Sequence, residues 1–142
     1  MIFKILKLNV FFLFTLISLL SANEINDISV KGNKRISKET ILVLGNIDLN
    51  KDYNSESINT VLKNLYESDF FENIDIKFQE NILIITVKEN PIIENISISG
   101  IKRKEFEENL LEKISLKSRS SFTNYKLEND LNLINNILKQ SG

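Results

Sequence analysis

Glu105, Glu107, Glu108 and Glu112 put four carboxylates into one helix-length stretch, KEFEENLLEK. Paired carboxylates can divide acid and base work on a bond, or gather around a hard cation. At helical periodicity, however, Glu105, Glu108 and Glu112 share a solvent face, while Phe106, Leu110, Leu111 and Ile114 turn inward. The chain has no histidine and no cysteine, and no Gly-rich phosphate loop accompanies the glutamates. No converging ligands have metal-site spacing, so the residues point away from an enzyme and imply neither cofactor nor metal. Lys34-Arg35 and Lys102-Arg103-Lys104 could hold an acidic partner or a phosphate. As solvated loop charges they need no function. Phe70-Phe71 could anchor a binding partner. Burying such side chains stabilises by ~1.5–3 kcal/mol each, which favours a place in the core.

The elements that position these residues begin after the first 22. MIFKILKLNVFFLFTLISLLSA carries Lys4 and Lys7, an apolar run to Leu20, and small residues Ser21 and Ala22. This reads as a secretory signal peptide, residues 1–22, cleaved after Ala22. The run is shorter than the ~20 apolar residues that span a bilayer. Cleavage leaves 16 basic residues (18 less Lys4 and Lys7) against 19 acidic ones. That acidic balance disfavours nucleic acid as a partner. With no cysteine, an oxidising compartment supplies no staples and the fold must stand on its core.

From Asp27 to Pro91 the hydrophobic period changes in a readable order. Ile28 and Val30 alternate with Ser29 and Lys31 as a half-buried strand, broken at Gly32-Asn33. Ser37 can cap a helix over Lys38 to Leu44, with Ile36 stapled onto Ile41 and Gly45-Asn46 as its stop. Asn54 or Ser55 can cap a second helix. Its Ile58, Val61, Leu62, Leu65 and Tyr66 form one apolar stripe. The period then drops to two: Ile74, Ile76 and Phe78 alternate with Asp75, Lys77 and Gln79. Glu80-Asn81 is a turn, and Ile82 to Val87 is apolar on both faces, as in a central strand.

After Pro91 the order restarts. ISVKGNKR at Ile28 returns as ISISGIKR at Ile96, with five of eight positions unchanged. Ile96 and Ile98 are expected to form a strand and Lys104 to Ile114 a helix. A second helix carries Leu127, Leu131, Ile134 and Leu138 inward. The two strands that follow the helices in the first unit have no counterpart here. One strand cannot close a sheet, so the chain reads as an N-terminal fragment of a longer protein.

IxVxGNxRIS, the helix ending LYESDFF, NIDIKF, and VKENPIIENISISG resemble the polypeptide-transport-associated (POTRA) domain. The resemblance covers Asp27 to Gly142, and its most specific piece is Val87 to Pro91 running into Ile96 to Gly100, the family's junction between consecutive units. Asp69 stands where the family usually has glycine, and Asp tolerates a left-handed turn better than most residues. The resemblance implies an α+β fold of tandem modules, each two helices on a three-stranded mixed sheet. Residues 24–91 would be the first module and 92–142 an incomplete second one.

It also implies a function, the periplasmic arm of an outer-membrane β-barrel assembly factor. Such an arm receives unfolded outer-membrane proteins, docks assembly-complex lipoproteins and a periplasmic chaperone, and meets the outer membrane through a C-terminal barrel absent here. A related transporter (TamA type or two-partner secretion pore) and a division scaffold resembling FtsQ are the alternatives. In the family the second strand is an edge, so Ile74, Asp75, Ile76, Lys77 and Phe78 are the expected partner-binding strand. Ile74, Ile76 and Phe78 would face the helices, and the Lys77 N–H would be among the groups offered to a guest. Glu89, Asn90 and Pro91 are the expected inter-module hinge, because proline fixes its own φ and restricts the residue before it.

Overall fold

The computed structural model describes residues 25–141; the expected signal peptide lies outside them. The elements are β1 (Asp27–Lys31), α1 (Lys38–Gly45), α2 (Ser55–Glu67), β2 (Phe71–Gln79), β3 (Ile82–Glu89), α3 (Lys104–Lys113) and α4 (Asn124–Ser141). The sheet order is β1-β3-β2, with β1 parallel and β2 antiparallel to β3.

Each helix of the first module starts where its cap dictates. Ser37 has an extended backbone and its side chain accepts the Thr40 N–H at 3.2 Å. Asn54 and Ser57 satisfy each other's backbone N–H groups in a capping box, at 2.9 and 2.8 Å. These bonds replace partners that a first turn lacks. Asn46 ends α1 in the left-handed conformation, φ +53°. Glu80 and Asn81, φ +50° and +63°, make the two-residue turn between β2 and β3, a twist that suits paired strands. Gly32, φ +83°, lies so close to β3 that a Cβ would stand 2.2 Å from the Val87 carbonyl oxygen. Only glycine fits there.

The core gathers Ile28, Ile41, Val61, Leu65, Phe71, Ile74, Leu83, Ile85 and Val87 between α1, α2 and one face of the sheet. Phe71 is buried and Phe70 packs at its margin, as their hydrophobicity requires. On β3, Leu83, Ile85 and Val87 are buried while Ile82 and Ile84 are half-buried and Thr86 exposed. β3 is the central strand, as its apolar run implies, although only one of its faces is covered. Both helices lie on one side, and on the other Ile84 is flanked only by Ser29 and Lys77.

In the second unit Leu110, Ile114 and Leu116 are buried. The Asp130 carboxylate, on α4, accepts the N–H groups of Ser115 at 2.7 Å and Leu116 at 2.9 Å. Burial alone would raise its pKa, but these bonds outweigh it and hold the carboxyl below its usual value. The strand expected at Ile96 and Ile98 does not form. Ile96 and Ile98 instead border an open apolar cleft of about 550 Å³ with Ile114, Phe122, Leu127 and Ile134. A strand needs a neighbour to take its N–H and C=O groups, and among the described residues none pairs with this segment. For the same reason Leu131 and Leu138, expected inward, are exposed on α4. Among the described residues no helix is long and apolar enough to cross a membrane.

Candidate edge-strand interface and module junction

β2 is an edge of the sheet, nine residues long, and among the described residues pairs only with β3. Its inward side chains are graded along the strand. Ile74 is buried, Ile76 packs against the core, and Phe78 is 38% exposed with its ring 6.4 Å from that of Tyr53. Outward, Lys77 and Asp75 form an ion pair at 2.8 Å. Charge of this kind is how exposed edges avoid pairing with one another.

The backbone decides what the edge can offer. The Ile74 N–H donates to the Tyr66 hydroxyl at 3.1 Å and so points away from β3. In an antiparallel pair the direction alternates with each residue. Ile76 and Phe78 therefore face the open side, whereas Asp75, Lys77 and Gln79 face Thr86, Ile84 and Ile82 of β3. The two-residue turn agrees, because the pair that flanks it, Gln79 and Ile82, closes the hairpin. This corrects the expectation for Lys77: its N–H lies inside the ladder, and the open donors are those of Ile76 and Phe78. The opposite edge offers less. β1 has five residues, and the Asp27 carboxylate takes its Ile28 N–H at 2.7 Å.

Glu89, Asn90 and Pro91 come together where β3 ends. One Glu89 oxygen accepts the N–H groups of Lys34, Arg35 and Ile36 at 2.7, 2.9 and 3.0 Å. Its other oxygen lies 3.1 Å from Arg35 Nε. The Glu89 side chain is 7% exposed, and burial would raise its pKa, but the three N–H groups and the guanidinium hold it below the usual value. Asn90 is held three ways. Its N–H donates to the Phe70 carbonyl, its side chain donates to the Asp69 carbonyl, and its own carbonyl accepts from Arg35 Nη2, at 2.8, 2.8 and 2.7 Å. Beyond it, the Pro91 carbonyl accepts the Phe122 N–H at 2.8 Å, and Ile93 exchanges bonds with Ser120 and Arg119. Lys126 of α4 pairs with Asp69, which joins the two units by a side-chain contact.

Three residues in this geometry escaped the sequence. Arg35 looked like a solvated loop charge, yet it closes the junction. Tyr66 fell on the apolar stripe of α2, yet it is 44% exposed and spends its hydroxyl on β2. The sequence carried one hint: a tyrosine at the end of an apolar stripe can keep its ring on the core and its hydroxyl on a partner. Asp69 does adopt a left-handed backbone, φ +60°, and its pairing with Lys126 bridges 57 residues that no local pattern links.

The POTRA family model, described as "Surface antigen variable number repeat", matches residues 23–90. Among curated relatives, the "Outer membrane protein assembly factor BamA" of Neorickettsia risticii (strain Illinois) is 33% identical over 81 residues, 57% of this chain. The protein of the same name from Nitratidesulfovibrio vulgaris is 25% identical over 126 residues, 86% of this chain. The chain spans only 11% and 16% of the lengths of those two relatives. The solved N-terminal domain of Omp85 from Thermosynechococcus elongatus matches 83% of this chain and 52% of its own, with a TM-score of 0.55 and 11% identity. POTRA1-2 of Omp85 from Anabaena matches 83% of this chain and 79% of its own, with a TM-score of 0.55 and 8% identity. At those identities the structures establish the fold alone. Residues 23–90 thus match the POTRA family model, and the chain shares its α+β fold with the POTRA domains of Omp85.

Proposed function

We propose that this chain is part of the periplasmic arm of an outer-membrane protein assembly factor, and that β2 of its first module receives extended segments of unfolded outer-membrane proteins. The observation that carries the proposal is the open edge at Ile76 and Phe78, on a strand nine residues long. Strand addition takes its affinity from main-chain bonds and so accepts many guest sequences, which suits a receiver of barrel strands. The curated relatives, all named as BamA, support the setting. Docking of assembly-complex lipoproteins and a periplasmic chaperone belongs to the same proposal, as does secretion by way of residues 1–22. Glu89, Asn90 and Pro91 serve in it as the joint that aims the first module.

The test compares Phe78→Pro with Phe78→Ala, using a synthetic peptide copied from a transmembrane β-strand. Both substitutions remove the ring, but only proline removes the outward N–H. Proline should weaken peptide binding further than alanine while the module stays folded. Equal binding by the two variants would overturn strand addition. Lys77→Pro should instead destabilise the sheet itself, because its N–H faces β3.

A further inference from the structure

A hydrogen bond from a helix side chain caps one donor of the β2 edge. Tyr66 lies in the last turn of α2, with half-buried Ile58 and Leu62 on the same line of the helix at i−8 and i−4. Its hydroxyl accepts the Ile74 N–H, the first open-side donor after the irregular pairing between Phe71 and Asn73. The residue is 44% exposed, and its hydroxyl reaches the strand. A tyrosine hydroxyl at the margin of a core takes a nearby polar partner, and here that partner is a donor of the open edge.

We infer that Tyr66 is a register stop for strand addition at β2. This rests on the edge receiving a guest, as proposed above. A strand arriving along β2 finds the N–H groups of Phe78 and Ile76 free, and at Ile74 it meets a donor already taken and a phenol ring in its path. It must end there or displace the hydroxyl. The stop does two things: it fixes the guest against two open donors instead of letting it slide along the strand, and it keeps the bonded stretch short. Short pairing is weak and reversible, as a surface that passes its guest onward requires. The ring also shields the edge from a second copy of the chain, since two long edges would otherwise pair with each other.

Tyr66→Phe keeps the ring and removes the acceptor. In the free variant the Ile74 amide should exchange with solvent more than about tenfold faster, while the Ile85 and Val87 amides report an intact core. With the same β-strand peptide, wild type should gain protection at Ile76 and Phe78 only. The variant should gain it at Ile74 as well and bind about fivefold tighter, the worth of one added hydrogen bond. If the peptide protects neither Ile76 nor Phe78 in either protein, strand addition itself fails and the stop falls with it. If it protects both, but Ile74 stays unprotected in Tyr66→Phe and the affinity does not rise, strand addition stands and the register stop is refuted.

Discussion

The Arg35 guanidinium reaches both the Glu89 carboxylate, at 3.1 Å, and the Asn90 carbonyl, at 2.7 Å, so one side chain ties the loop after β1 to the end of β3 and the residue that follows it. Glu89 completes the tie by accepting three consecutive N–H groups from that loop. The two partners do not contribute equally. Glu89→Ala leaves three donors without an acceptor and should destabilise the chain by about 2 kcal/mol. Arg35→Ala, at a side chain 38% exposed, should cost about 1 kcal/mol or less. Denaturant unfolding of both variants checks the order.

The same carboxylate predicts a pH dependence. The folded pKa of Glu89 lies below the ordinary 4.5. Its stabilisation is therefore complete above that value and is lost as pH falls through the folded pKa. Asp130 acts in the same direction below its ordinary 3.8. Glu89→Gln should flatten the acid side of the stability profile below about pH 4.5 while leaving the slope near pH 7 unchanged. An unaltered acid limb would count against the Glu89 assignment.

The repeated glycines should respond differently to alanine. Both have positive φ, +83° at Gly32 and +91° at Gly100. A Cβ at Gly32 would collide with the Val87 carbonyl, whereas nothing lies within 4 Å of one at Gly100. Gly100→Ala should show backbone strain alone, about 1–2 kcal/mol. Gly32→Ala should cost more, because β1 must also move off β3. Thermal unfolding of the two variants gives the comparison.

Limited proteolysis should separate the units. Asn95 to Arg103 lies outside every strand and Asn95 to Ile98 front the open cleft, while residues 27–90 are tied by the sheet and by the three bonds of Asn90. The first cuts should fall between Asn95 and Arg103. Lys126→Ala, which removes the pairing with Asp69, should widen the distribution of inter-unit angles seen by X-ray scattering.

Much of the first module was legible because its signals are local. Ser37 and Asn54 announce their helices, and Glu80-Asn81 and Gly32 announce their turns. The alternation from Ile74 to Phe78 announces a strand with one covered face, while its place at the edge was implied only by the family resemblance. What stayed hidden depends on contacts distant in sequence. Nothing near Arg35 says that Glu89 will stand beside it, and nothing near Tyr66 says that its hydroxyl will reach Ile74. The direction of the Lys77 N–H was hidden for a related reason: periodicity gives side-chain faces, while backbone direction needs the pairing register. The strand expected at Ile96 failed because a good strand sequence still requires a neighbour.

Strand addition at β2 is tested most directly by placing a photo-cross-linking residue at Asp75 on β2, and separately at Ser29 on β1, with the β-strand peptide as guest. The peptide should cross-link saturably from Asp75 and not from Ser29, and excess unlabelled peptide should compete. Cross-linking from Ser29 alone, or none from Asp75, would contradict β2 as the receiving edge and leave the module as a spacer.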